Sequence, residues 1–152
     1  MDSSSQNAID MLVADHEEVK VLFKKFDGLS DRSKSSKKKL ADEICAALAI
    51  HAQLEEEIFY PRVRAKIKDH DLMDEALVEH ASAKGLMAQI REMDPGDDLY
   101  DAKVSVLSEQ VAHHVGEEEG TMFQKVKESG IDLNALGEEI RIRRQALVAV
   151  VA

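Results

Sequence analysis

Two matched sets of polar side chains interrupt the apolar faces of the helices that this sequence predicts. In each set a histidine is followed 34 or 35 positions later by a second histidine, and a glutamate stands four residues beyond that. An offset of four places two side chains on one face of a helix, one turn apart. The residues concerned are His16, His51, Glu55, His80, His114 and Glu118. This repeat predicts two copies of a helix pair, with polar groups converging from four helices.

Hydrophobic periodicity predicts five helices. Apolar residues recur at steps of three and four, as Leu12 and Val19 do on either side of His16. Pro61 is expected to kink or end the second helix, and Asp71 is expected to cap the third. The predicted spans are 7–27, 36–60, 71–93, 97–128 and 132–151.

The predicted fold class is all-α. Short connections between the first four helices favour an up-down-up-down four-helix bundle, with an additional C-terminal helix packed outside it or against a partner. The length suits a single domain over 1–152, with the bundle at about 7–128 and the extra helix at about 132–151.

The charge and the single cysteine suggest where the chain acts. A net charge of −10 argues against nucleic acid and against an anionic membrane surface as partners. No apolar run approaches the roughly 20 residues of a membrane span, and the first residues are polar. Cys45 has no internal partner for a disulfide, which fits a reducing compartment. A cytoplasmic location is therefore expected.

The six polar residues on the apolar helix faces predict a metal site, because buried polar and charged groups need a partner that offsets the loss of water. An unpaired buried carboxylate is strongly destabilising, and imidazole nitrogen and carboxylate oxygen are good ligands for a divalent or trivalent cation. Six ligands exceed the need of one tetrahedral zinc ion and suit two metals, each bound by two histidines with the carboxylates bridging. The alternative is a buried network of hydrogen bonds and ion pairs between histidine and glutamate.

Four segments carry a family resemblance: DHEEVKVLF from Asp15, HAQLEEEIFYP from His51, EH at Glu79 and His80, and HHVGEEEGTMF from His113. The chain resembles the hemerythrin-like, or HHE cation-binding, family along essentially its whole length.

The resemblance implies a non-haem di-iron centre. His16 and His51 would bind one iron ion, and His80 and His114 the other. Glu55 and Glu118 would bridge the two ions, together with an oxo, hydroxo or water bridge.

The sequence departs from the oxygen-carrying members of the family at Lys84. Those proteins have a further histidine at this position, one turn after the ligand in the third helix. The departure implies an extra open or solvent-filled coordination position. Lys84 could steer an anionic ligand, or its stem could cover apolar surface while the ammonium group reaches solvent.

Three functions are consistent with these features. The first is a di-iron protein that binds or senses oxygen, peroxide or nitric oxide. The second is a di-iron enzyme that acts on peroxide or nitric oxide, or donates iron for iron–sulfur repair. The third is a zinc-binding or metal-free structural bundle. The expected partners are a small diatomic ligand or peroxide, and a second copy or another protein at the C-terminal helix.

Overall fold

The computed structural model describes residues 6–151, with the backbone alone for Val151, and all regular structure in this range is helical. Residues 1–5 and Ala152, which the predicted domain includes, lie outside the described residues. Two π-helical turns, π1 and π2, each continue directly into the helices on either side. The elements are α1 (Ala8–Asp27), α2 (Lys34–Leu54), π1 (Glu55–Phe59), α3 (Tyr60–Lys66), α4 (His70–Glu92), α5 (Tyr100–Glu117), π2 (Glu118–Met122), α6 (Phe123–Glu128) and α7 (Leu133–Val151).

These elements form the predicted bundle of four helices, with an additional helix at the C-terminus. The second bundle helix consists of α2, π1 and α3, and the fourth consists of α5, π2 and α6. The first packs against the second, and the third against the fourth. The additional helix α7 lies on the outside of the bundle, against α1, α2 and π1. None of the helices in the described range combines the length and the hydrophobicity that a membrane crossing requires.

Side-chain hydrogen bonds cap the starts of α1 and α7. The side chain of Asn7 accepts a hydrogen bond from the backbone N–H of Asp10 and caps α1, and Asp132 accepts one from Ala135 at the start of α7. Asp71 lies in the first turn of α4 and not at its cap, so that prediction was wrong. The fourth bundle helix begins later than predicted because Leu99 has a φ of 73°, in the left-handed region that a right-handed helix excludes.

Pro61 does not end the second bundle helix, which continues to Lys66. Proline interrupts an α-helix because it lacks an N–H group and its ring crowds the preceding turn. Here π1 precedes it, and the N–H of Tyr60 bonds to the carbonyl of Glu55, five residues back. Pro61 therefore stands in the first turn of α3, the position of a helix that tolerates proline best.

The predicted ligands form a polar layer that divides the apolar core in two. Along α1, for example, His16 lies between Leu12 of the first cluster and Val19 of the second. The first cluster contains Ala8, Ile9, Leu12, Leu54, Phe59, Tyr60, Val63, Met73, Ala76, Met122, Phe123, Val126, Leu136, Ile140 and Leu147. The second contains Val19, Phe23, Phe26, Ala41, Ile44, Cys45, Met87, Ile90, Tyr100, Val104 and Leu107. Packed side chains above and below hold the polar layer in place.

Gly137 allows α7 to approach the start of α1 closely. A Cβ atom at this position would lie 2.9 Å from the backbone nitrogen of Ala8. We expect Gly137→Ala to lower the free energy of unfolding by about 1–3 kcal/mol, the usual effect of overpacking against backbone. The midpoint of thermal unfolding, followed by circular dichroism, measures this effect.

Gly85 is the matched control, because it is exposed in the middle of α4 and a Cβ there meets no atom within 4 Å. Gly85→Ala should raise the free energy of unfolding by about 0.5–1 kcal/mol through helix propensity alone. Equal effects of the two substitutions would contradict the close approach of α7 to α1.

Candidate metal centre

The structure brings all six predicted site residues together in the interior of the bundle. Each side chain is buried, and Glu55 and Glu118 have relative exposures of 0% and 1%. The ligand atoms form two groups of four, in which all atoms lie within 4.8 Å of one another. One group consists of His16, His51, Glu55 and Glu118, and the other of Glu55, His80, His114 and Glu118.

Both glutamates belong to both groups, because each lies between the two histidine pairs. Glu55 Oε1 is 3.4 Å from Nε2 of His51 and 3.1 Å from Nε2 of His80. Glu118 reaches Nε2 of His16 at 3.2 Å with one carboxylate oxygen and Nε2 of His114 at 3.1 Å with the other. Each carboxylate therefore contacts one histidine of each pair, as a bridging ligand requires.

The two π turns begin at these two glutamates. A π turn contains one more residue than an α turn and occurs frequently at functional sites. Buried residues stand at matched positions after each glutamate. These are Phe59 and Tyr60 after Glu55, and Met122 and Phe123 after Glu118. The repeat seen in the sequence thus extends to the backbone of the second and fourth bundle helices.

The hydroxyl group of Tyr60 lies inside the second group of ligand atoms. It donates to Glu118 Oε2 through a short hydrogen bond and is 3.1 Å from Glu55 Oε1. It is also 3.3 Å from Nε2 of His80 and 3.4 Å from Nε2 of His114. Tyr60 is therefore a third oxygen-bearing side chain at the centre of the site.

Each of the four histidines also contacts a carboxylate through its outer nitrogen, Nδ1. The distances are 2.7 Å from His16 to Glu119, 2.8 Å from His51 to Asp15, 2.7 Å from His80 to Glu56 and 2.6 Å from His114 to Glu79. A carboxylate accepts the Nδ1 proton, which leaves the Nε2 lone pair directed to the interior. All four imidazoles are thus arranged to bind a cation through Nε2.

The electrostatics of the site favour positive charge. Burial lowers the pKa of His51, but the negative charge of Glu55 and the hydrogen bond to Asp15 outweigh burial and raise that pKa to about 10. The pKa of His114 rises to about 11, since hydrogen bonds to Glu118 and Glu55 overcome the same opposing effect of burial. Burial raises the pKa of Glu55, but His51 and further hydrogen bonds hold it well below its usual range. Burial, together with Glu55 and Glu118, raises the pKa of the Tyr60 phenol.

Several inward-facing atoms fit a bound metal because they lack any other partner. Among the described residues, Nε2 of His16 and His51, Oε2 of Glu55 and Oε1 of Glu118 are buried without a hydrogen bond. The two imidazole nitrogens lie near carboxylate oxygens but not in hydrogen-bond geometry. A buried polar atom without a partner is strongly destabilising. Lone pairs of nitrogen and oxygen that converge in this way suit a transition metal ion.

Sequence reasoning left out part of this arrangement. The spacing of the six predicted ligands does not place Tyr60 in the site, nor does it pair Asp15 or Glu79 with a histidine. A signal was present, because each outer carboxylate is the immediate sequence neighbour of a predicted ligand. Adjacent side chains point about 100° apart on a helix, so such a neighbour reaches towards the next helix of the bundle.

Lys84 is half exposed at the rim of the site. Its ammonium group is 2.8 Å from both carboxylate oxygens of Glu56, which in turn contacts His80. Lys84 therefore pairs with Glu56 at the rim and also lines the cavity next to the histidines, so both predicted roles stay predictions.

Comparison with known proteins gives three findings. Residues 7–126 match the family model of the hemerythrin HHE cation binding domain. A crystal structure of an HHE cation binding domain-containing protein from Mycobacterium kansasii superposes with a TM-score of 0.79 at 24% identity, over 93% of this chain and 87% of that one. A DNA nickase of Nostoc sp. (strain PCC 7120) is 31% identical over 126 residues, which are 83% of this chain and 35% of that protein. The chain thus spans about a third of that relative's length.

The match to the family model covers most of the chain, and the structural neighbour has the same fold. HHE domains bind metal ions, and this chain carries buried clusters of histidine and glutamate that can do so. The chain belongs to the hemerythrin HHE cation binding domain family.

Proposed function

We propose that this protein is a non-haem di-iron protein that binds or senses oxygen, peroxide or nitric oxide. The observation that carries the proposal is the pair of buried ligand groups that share Glu55 and Glu118. Two cations in one interior need shared anionic ligands, since two positive charges at close range otherwise repel each other. Two carboxylates common to both groups supply this compensation.

In the proposal His16 and His51 bind one iron ion, and His80 and His114 bind the other. Glu55 and Glu118 bridge the ions, together with an oxo, hydroxo or water bridge. A mixture of imidazole and carboxylate ligands suits iron well. A bridged iron pair supplies reversible one-electron chemistry and a coordination position for a small ligand.

A cavity of about 50 Å³ adjoins the histidines and limits the size of the ligand. Such a volume holds a few water-sized molecules, which suits a diatomic molecule or peroxide. The wall is mostly apolar and includes Val19, Leu48, Ala83, Met87, Val111 and Val115. An apolar wall of this kind limits the access of water and favours small neutral ligands.

Two further polar groups of the chain would act in the site: Gln110 on a ligand in the cavity, and Tyr60 on the carboxylates of Glu55 and Glu118. Gln110 lines the cavity, and its Oε1 atom is buried without a hydrogen-bond partner. Its amide group would accept or donate a hydrogen bond at the ligand. Tyr60, on the inner side of the site, would hold its proton between Glu55 and Glu118 or give it up when the metals bind.

Metal content and absorption spectra test the proposal. The protein, purified after iron supplementation, is expected to hold two iron ions per chain. Its near-ultraviolet and visible spectrum should change on addition of oxygen, peroxide or nitric oxide. Two zinc ions without such absorption, or no metal at all, would contradict the proposal and favour the structural alternative. Turnover of many equivalents of peroxide or nitric oxide per site would favour the alternative function as a di-iron enzyme.

Filling the cavity should separate ligand binding from metal binding. Ala83→Leu places a larger side chain in the cavity wall, because Ala83 lines that space and is partly buried. We expect the spectral response to peroxide or nitric oxide to need at least roughly tenfold more ligand, the effect of about 1.4 kcal/mol. Iron content per chain should stay at the wild-type value. Titration of the absorption spectrum with each ligand measures the change.

Ala81→Leu is the matched control, since Ala81 is exposed on the same helix. This variant should respond to the ligands as the wild type does. An unaltered ligand response in Ala83→Leu would show that ligands reach the site by another route.

The other predicted partners stay predictions. The Nostoc relative is named a DNA nickase, but the match covers about a third of that protein. The net charge of this chain, −10, opposes association with the DNA backbone. On α7, Ile142, Val148 and Val150 are exposed apolar residues, which suits contact with a second copy or another protein. The single domain over 1–152 and the cytoplasmic location also stay predictions.

A further inference from the structure

The four carboxylates that contact the histidine Nδ1 atoms, here called the outer carboxylates, form a closed ring around the four bundle helices. Each helix contributes one carboxylate to a histidine of the next, and the fourth helix returns to the first. The four links are Asp15 of α1 to His51 of α2, Glu56 of π1 to His80 of α4, Glu79 of α4 to His114 of α5, and Glu119 of π2 to His16 of α1. Every histidine of the candidate metal centre is thus fixed by the preceding helix.

Two carboxylates of this ring also bind a positively charged side chain. Asp15 Oδ2, which is 2.8 Å from His51 Nδ1, also accepts a hydrogen bond of 2.7 Å from Arg144. Glu56 Oε2 contacts both His80 and Lys84 in the same way. One carboxylate oxygen thus links Arg144 to His51, and another links Lys84 to His80.

Arg144 differs from Lys84 in its place in the fold. Lys84 belongs to α4, which already carries a proposed ligand, whereas Arg144 belongs to α7, which carries none. Arg144 also lies outside residues 7–126, the part of the chain that matches the family model. The contact with Asp15 therefore connects a helix outside the bundle to the interior site.

Asp15 is largely buried, with a side-chain exposure of 13%, and its free rotation would misdirect the His51 ring. The hydrogen bond from the Arg144 guanidinium group to Asp15 Oδ2 restricts this rotation, because a hydrogen bond between two charged groups is short and strong. Hydrogen-bond partners of metal-ligating histidines set the tautomer and the ring orientation. A change at Arg144 should consequently reach His51 Nε2 without any direct contact.

We propose that Asp15 and Arg144 are positioning residues through which α7 sets the metal affinity of the site at His51. The proposal rests on the proposed metal site, since it assigns His51 as a ligand. It concerns a different part of the chain and predicts a different pattern of variants.

A double-mutant cycle tests the proposal, with zinc as the probe metal in competition with a chelator. Asp15→Asn should weaken zinc binding at the affected site by about 10- to 100-fold, and Arg144→Met by about 10-fold, the range for partners of metal-ligating side chains. The double variant should bind within about twofold of Asp15→Asn alone, because Arg144 acts through Asp15. If the affinity losses of the two single variants multiply in the double variant, Arg144 does not act through Asp15. Wild-type zinc affinity in Asp15→Asn would overturn the proposal.

Arg143→Met is the matched control. Arg143 is the neighbour of Arg144 on α7 and pairs with Glu57, which is exposed at the surface. It should bind zinc as the wild type does, and a loss equal to that of Arg144→Met would assign the effect to α7 stability instead.

A second readout does not depend on metal affinity. The Nδ1 proton of His51, observed by NMR, should move upfield and exchange faster with water in Asp15→Asn and in Arg144→Met, but not in Arg143→Met. An unchanged proton in the first two variants would contradict the positioning role. Failure of the wild type to bind any metal would contradict both the proposed function and the effect of α7 on metal affinity. The proton resonance would still test whether Asp15 and Arg144 orient the His51 ring.

Discussion

Glu118→Ala is expected to remove most of the iron from this protein, whereas Glu117→Ala, one residue earlier, is expected to leave it bound. Glu118 is buried and contacts a histidine of each pair, but Glu117 is exposed at the surface. Loss of a ligand shared by both metals affects both ions, and the remaining ligands then carry too little negative charge. Iron per chain, measured by elemental analysis after reconstitution, should fall well below half of the wild-type value.

Two further variants determine whether the glutamates are shared. Glu55→Ala should resemble Glu118→Ala, since Glu55 also belongs to both ligand groups. His16→Ala should reduce the iron content less, because His16 belongs to one group only. Far-ultraviolet circular dichroism should stay near the wild-type value in all of them. Unchanged iron in both glutamate variants would remove these residues from the site.

Metal binding should produce a large rise in thermal stability. A metal that binds the folded chain alone stabilises it by about 4 kcal/mol per site when its free concentration is 1,000 times the dissociation constant. For a chain of this length each kcal/mol raises the unfolding midpoint by about 2–4 °C, so one occupied site should add roughly 8–16 °C. The physical source is the charge balance at six buried polar side chains. Scanning calorimetry of the metal-depleted and the reloaded protein measures the difference.

Magnesium is the control cation for this experiment, because it prefers oxygen ligands and retains its water. It should raise the unfolding midpoint little, and the Glu118→Ala variant should respond weakly to iron. A midpoint that is equal with and without iron or zinc in the wild type would contradict a site within the folded core.

The positions of the six proposed ligands could be predicted from the sequence because they depend on helical geometry alone. An offset of four residues places His51 and Glu55 on one helical face, and the apolar residues around them predict burial of that face. The repeat at His114 and Glu118 then predicts a second half. The four-helix bundle and the additional C-terminal helix follow from the same periodicity and from the short connections.

The backbone at the two glutamates could not be predicted in this way. A π turn replaces hydrogen bonds between residues four apart by hydrogen bonds between residues five apart, and helical periodicity in the sequence does not signal this change. For the same reason Pro61 was expected to kink or end a helix that in fact continues to Lys66. The position of Tyr60 at the centre of the site depends on this turn, so the spacing of residues along a regular α-helix does not predict it.

The sequence by itself determined which side chains face the interior, because the period of a helix fixes the face on which each residue lies. Only the tertiary structure decided which partners these side chains have. Arg144 and Asp15 are 129 positions apart, and their contact exists because α7 packs back on the bundle. The ring of outer carboxylates likewise arises where neighbouring helices meet. Contacts of this kind depend on the distance between helices and on their rotation, and no spacing within a single helix encodes either quantity.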